Sequence, residues 1–123
     1  MKRILLLAIA MVCLAGCSKE KVMQGRYTAS TSIGTINLEL LAGGNCVASL
    51  EGGEEDTGSY DVNGDEIIIR GVRVRKGEIL SSRYKCYIFT GTRPGTIVDN
   101  NKFSIEIENM YGDDTVYCTF VRR

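Results

Sequence analysis

Downstream of residue 24 the apolar residues of this chain recur at every second position, and that alternation restricts its folds more than any other feature of the 123 residues. Ile36, Leu38 and Leu40 alternate with Asn37 and Glu39, and Cys46, Ala48 and Leu50 alternate with Val47, Ser49 and Glu51. Further along, Phe103, Ile105 and Ile107 are interleaved with Ser104, Glu106 and Glu108, and Val116, Cys118 and Phe120 keep the same phase. Successive side chains of a strand point to opposite faces, so each run predicts a strand with one dry and one wet side. Apolar stripes at helical spacing are absent from this region, proline occurs once, at Pro94, and glycine occurs 14 times. The expected class is all-β, and residues 25–123 suffice for one core rather than two.

Turn chemistry counts the strands. Gly43-Gly44-Asn45 joins the first two runs as a hairpin. Asn63-Gly64, between Gly58–Val62 and Glu66–Arg70, is a stronger hairpin signal, because both residues tolerate positive φ. Tyr84–Thr90 is β-rich, Gly95–Val98 leads into the turn Asp99-Asn100-Asn101, and Tyr111-Gly112-Asp113-Asp114 precedes the last strand. Residues 71–83, with Lys76-Gly77 turning between Val72–Val74 and Glu78–Leu80, are expected to form an excursion from the sheet. With Gly25–Ser30 as the first, about eight principal strands make a single antiparallel meander. Eight such strands can close into a barrel with no exposed edge, a β-sandwich being the alternative.

The first residues have a different character. Lys2 and Arg3 precede an apolar run from Ile4 to Leu14, and Ser18-Lys19-Glu20-Lys21 ends it. This is shorter than the roughly 20 residues that span a bilayer and has the layout of a secretion signal. Leu14-Ala15-Gly16-Cys17 resembles the lipobox of bacterial lipoproteins. The resemblance implies removal of residues 1–16, acylation of Cys17 and attachment to a membrane of the cell envelope; a signal peptide cut after a small residue is the alternative. Ser18 after the cysteine implies, by the same resemblance, the outer membrane, with the domain facing either the periplasm or the outside. Residues 17–24 are then the lipidated cysteine and a tether, whose seven residues 18–24 reach at most about 25 Å.

The spacing of Gly25-Arg26-Tyr27, Ile36-Asn37-Leu38-Glu39-Leu40, Gly58-Ser59-Tyr60 and Gly64-Asp65-Glu66-Ile67 resembles small lipocalin-like lipoproteins, including the amino-terminal domain of the envelope-stress and copper-resistance lipoproteins. A closed lipocalin-like barrel over residues 25–123 is what this implies. The paired Cys-x-x-Cys of that family is missing, so copper handling is not carried over, and the Gly-x-Trp of true lipocalins is impossible in a chain without tryptophan.

Absence of histidine removes the usual general base, the usual zinc ligand and every histidine-containing triad, so no catalytic residue, metal or cofactor is expected. Basic and acidic residues balance at 15 each, and losing Lys2 and Arg3 leaves a small acidic excess, which argues against nucleic acid as a partner. Cys46, Cys86 and Cys118 share strand faces with apolar neighbours; they are either buried thiols or one disulfide with one thiol left over. Asp61-x-Asn63-x-Asp65 has the alternation of a calcium loop, but glycine stands fourth rather than sixth and Val72 occupies the twelfth position, so a turn is the better account.

Charge is segregated along the chain. Glu51, Glu54, Glu55, Asp56, Asp61, Asp65 and Glu66 precede Arg70, Arg73, Arg75, Lys76, Arg83 and Lys85. Either the two groups pair weakly across strands, or the second forms a basic patch that binds a partner. The functional expectation is a membrane-anchored, non-catalytic binding or interaction module for an unknown protein or small ligand. Its interior, lined by Ile36, Leu38, Ile67, Ile69, Ile105 and Phe120, is expected to be filled by side chains rather than open. One alternative is an inhibitor of a host hydrolase such as lysozyme, since Tyr84-Lys85-Cys86 with distant Cys118 resembles the Tyr-x-Cys start of small periplasmic lysozyme inhibitors. An envelope-assembly or stress-sensing lipoprotein is another.

Overall fold

The computed structural model describes residues 24–77 and 84–123. The expected signal, Cys17, most of the expected tether and Arg83 lie outside the described residues. Among the described residues nine strands are formed: β1 (Gly25–Thr31), β2 (Gly34–Leu40), β3 (Asn45–Leu50), β4 (Asp56–Asn63), β5 (Glu66–Lys76), β6 (Lys85–Thr90), β7 (Gly95–Asp99), β8 (Lys102–Asn109) and β9 (Thr115–Arg122). Eight of them close a ring in the order β1-β2-β3-β4-β5-β6-β8-β9 and back to β1, with every neighbour antiparallel. The fold is thus an eight-stranded lipocalin-like barrel with one additional strand. It is not a sandwich.

That additional strand is β7, which the sequence reading leaves as a lead into a turn. Its first residues pair with β5, Glu66 facing Thr96 and Ile67 facing Gly95, while β6 pairs with β5 farther along, from Arg70 to Lys76. On its other side β7 pairs with the start of β8. β6 and β7 therefore follow one another between β5 and β8, separated by residues 91–94.

Two further local expectations are corrected. Val72-Arg73-Val74 does not leave the sheet but continues β5, an 11-residue strand whose apolar phase is reset once. Ile67 and Ile69 point inward, Arg70 and Gly71 both lie outside, and Val72 and Val74 point inward again. The ladder with β6 slips between Arg70 and Val72, and Gly71 takes φ +76°, the conformation that glycine adopts without steric penalty. A bulge thus bends the strand and keeps both halves buried. The other half of the proposed excursion, Glu78–Leu80, lies outside the described residues. In the β4–β5 hairpin, Asn63 is the last residue of β4 and pairs with Glu66, so the turn residues are Gly64 and Asp65. Gly64 alone has positive φ, at +61°, which suits glycine at the first loop position of a two-residue hairpin.

The interior is a single packed cluster. Ile36, Leu38, Ile67, Ile69, Ile105 and Phe120 are all buried within it, as the alternation predicts. Its centre is aromatic: Phe120 stacks on Phe103 with centroids 5.2 Å apart, Phe89 meets Phe120 at 6.2 Å, and Tyr27 sits edge-on to Phe103 at 5.2 Å. Burying a side chain of this size contributes about 1.5–3 kcal/mol, so this filled interior supplies much of the driving force for closure.

Candidate functional site

An up-and-down barrel puts alternate connections at opposite ends, and here the two ends differ in chemistry. At one end lie the start of β1, the β2–β3, β4–β5 and β7–β8 connections, and the C-terminus. At the other lie the β1–β2, β3–β4, β5–β6 and β8–β9 connections.

Arg122, the last residue of β9, ties the first end together. Its Nη1 donates to the Gln24 carbonyl at 2.6 Å, its Nη2 to the Tyr27 hydroxyl at 2.8 Å and the Asn100 carbonyl at 3.2 Å, and its Nε to Asn101 Oδ1 at 3.1 Å. The guanidinium also lies over the Tyr27 ring, 5.0 Å from its centroid. One planar, multiply donating group therefore joins the point where the chain enters the barrel to the end of β9 and the β7–β8 turn. Nothing in the sequence marks this residue, because its partners are 21 to 98 positions away.

The charged segments meet across strands. Arg70 pairs with Asp61 at 2.9 Å, Arg73 with Asp56 at 3.6 Å, Arg75 with Glu54 at 3.6 Å and Lys76 with Glu51 at 2.7 Å. Arg73 also donates its backbone N–H to the Asp56 carboxylate at 2.8 Å. Four of the six residues of the candidate basic patch are thus balanced by the acidic segment, Arg70, Arg73 and Arg75 on the outer face of β5 and Lys76 at its end. Lys85 begins β6 directly opposite Lys76.

The far end is held by specific bonds as well. Glu51 adopts φ +49° and keeps its place through its N–H to the Thr35 carbonyl at 2.8 Å and its ion pair. The hydrogen bond and charge of Lys76 hold its carboxyl below the ordinary range. In the β8–β9 connection Asp114 accepts from Asn109 Nδ2 at 2.7 Å and from the Tyr87 hydroxyl at 2.8 Å, and these bonds lower its pKa. Tyr111 stands 74% exposed on this rim, beside Met110, and its ring meets that of Tyr84 at 6.2 Å.

The three cysteines are free and buried, but not in one environment. Cys46 and Cys118 belong to the core, where burial pushes their thiols up to about 11 and about 12. Cys86 does not share the core face. In β6 it is Tyr87 and Phe89 that enter the interior, and Cys86 lies on the outer side beneath the β8–β9 connection, its Sγ–H directed to Met110 Sδ at 3.2 Å. The sequence misleads here because a residue buried under a loop leaves the same trace as one buried in a core.

Among the described residues no three of His, Cys, Asp and Glu converge as a metal site, and no helix is long and apolar enough to cross a membrane. A surface depression of about 220 Å³ lies outside β1–β3, edged by Arg26, Asn37, Glu39, Ser49, Glu55 and Arg123. Its rim is polar, unlike the apolar pocket that a lipidic ligand would require. Comparison of the chain with protein-family models, with curated proteins and with solved structures finds no match.

Proposed function

We propose that this protein is a lipid-anchored lipoprotein of the cell envelope whose barrel is a rigid, non-catalytic interaction module, presenting its far rim to a partner protein. The observation that carries this reading is the polarity of the barrel. The tether would enter at Gln24, where Arg122 grips the chain, so an anchor at Cys17 places that end against the bilayer and the Tyr111 rim away from it. A filled interior favours recognition by the rim over carriage of a lipid. The balanced charges on β5 favour cross-strand pairing of Arg70, Arg73, Arg75 and Lys76 over a free basic patch.

Two measurements test this. Replacing Cys17→Ser should abolish incorporation of labelled fatty acid and leave an unprocessed or soluble chain; a mature-sized mutant extracted only by detergent would refute the anchor. A photo-crosslinking residue placed at Tyr111 should capture a protein partner in intact cells, whereas the same probe at Lys102, on the tether end, should not. Capture at Lys102 alone would refute the orientation.

A further inference from the structure

We infer that Cys86 and Met110 form a binding site for a soft monovalent cation of the silver or cuprous type, on the outer wall of the barrel. Two sulfur donors converge there, the thiol Sγ of Cys86 lying 3.2 Å from the thioether Sδ of Met110. Thiol and thioether together are the donor set that selects soft d10 ions over calcium, magnesium or other oxygen-seeking metals.

The pair is held by backbone as well as side chains. The Met110 N–H donates to the Cys86 carbonyl at 3.0 Å, which fixes the start of the β8–β9 connection over β6. Next to it, the Tyr84 ring packs with that of Tyr111 at 6.2 Å. Residues 84 and 86 on one segment are thereby locked to residues 110 and 111 on the other.

Access and charge both suit a cation. Cys86 is 2% exposed but Met110 is 40% exposed, so the thioether forms the outer, approachable side of the site. Linear coordination requires the sulfurs to separate to about twice a metal–sulfur bond, roughly 4.6 Å, and the unbranched methionine side chain has the freedom to swing outward by that amount. As the cation bonds to Sγ, the thiol proton leaves to solvent, so the charge at the site is unchanged. Arg75 is the strand partner of Cys86, and its Nε is buried without a hydrogen-bond partner. Side chains so paired lie about 5 Å apart at Cβ, which brings a metal-bound thiolate within reach of that N–H. Cys46 and Cys118, enclosed by the core, have no such outlet.

The test uses the full-length protein purified in detergent and titrated with silver nitrate in chloride-free buffer, with bound ions counted by native mass spectrometry. The remaining cysteines are common to every variant, so differences report this site. Wild type should bind one silver ion more than Cys86→Ser. Met110→Leu, a change of similar volume at a half-exposed position, should weaken that ion at least tenfold while leaving the circular dichroism unchanged. Equal silver content in wild type and Cys86→Ser would overturn the site, as would undiminished affinity in Met110→Leu. Should Cys86→Ser fail to fold, the Met110→Leu comparison decides alone.

Discussion

Arg122→Ala removes the group that ties the barrel's entry end together, and its cost can be worked from the contacts. Four hydrogen bonds from a charged donor are lost, to the Gln24 and Asn100 carbonyls, Asn101 Oδ1 and the Tyr27 hydroxyl. Bonds to charged groups contribute about 1.5–3 kcal/mol each when shielded from water. The two to Asn100 and Asn101 are exposed, however, and water replaces most of their value. The part-buried bonds to Gln24 and Tyr27 and the stacking on the Tyr27 ring, about 0.5–1 kcal/mol, survive that discount. The net loss should be about 2–4 kcal/mol. For a domain of this size each kcal/mol lowers the melting temperature by about 4–8 °C, so a fall of at least about 8 °C is expected. Urea unfolding followed by circular dichroism should show the midpoint moving with an unchanged slope, because the barrel still unfolds as a whole. Arg122→Lys should recover little, since one ammonium group cannot reproduce a planar fork with four separate partners. Arg123→Ala is the control: Arg123 is exposed, and its replacement should change stability by no more than about 0.5 kcal/mol. If Arg122→Ala and Arg123→Ala cost the same, the clamp is a surface contact and the reasoning fails.

Phe120→Ala should cost about 3–5 kcal/mol, because the side chain is fully buried between Phe103 and Phe89 and a closed barrel cannot collapse onto the space. Denaturant unfolding measures it, and a loss below about 1 kcal/mol would mean that the interior is loosely packed. Serine substitutions at Arg70, Arg73 and Lys76 should each shift stability by about 0.5 kcal/mol or less, since these pairs are solvent-exposed, and the effect should shrink further in high salt; a larger, salt-independent loss would contradict the exposed-pair reading. For the core thiols the sign is opposite to that of a stabilised carboxylate. Their folded pKa values of about 11 and about 12 lie above the unfolded value near 9, so the stabilisation is complete below pH 9 and is lost as pH rises toward 11 and 12. Urea midpoints should therefore fall across that alkaline window and fall less in a Cys46→Ala, Cys118→Val double mutant; an equal fall in both proteins would assign the transition to other groups.

Local sequence already determined the all-β class, the number of principal strands and most of the core. A strand with one wet face writes its burial into every second residue, and Ile36, Leu38, Ile105 and Phe120 could be assigned to the interior from phase alone. The proposal of a leader and a lipidated cysteine rests on the same kind of signal, carried by adjacent residues. What depended on residues distant in the chain was decided only by closure. The β5 bulge had to be inferred from geometry, because Arg70-Gly71 interrupts the apolar alternation and reads as the end of a strand until the pairing with β6 shows it continuing. Arg122 looks like a polar chain end until the ring brings residues 24, 27, 100 and 101 around it. Cys86 has the phase of a core residue only if the strand is counted from the wrong side, and its encounter with Met110 joins positions 24 apart. Periodicity reports which face a side chain occupies within its own strand. It cannot report what the other strands, once closed into a barrel, place against that face.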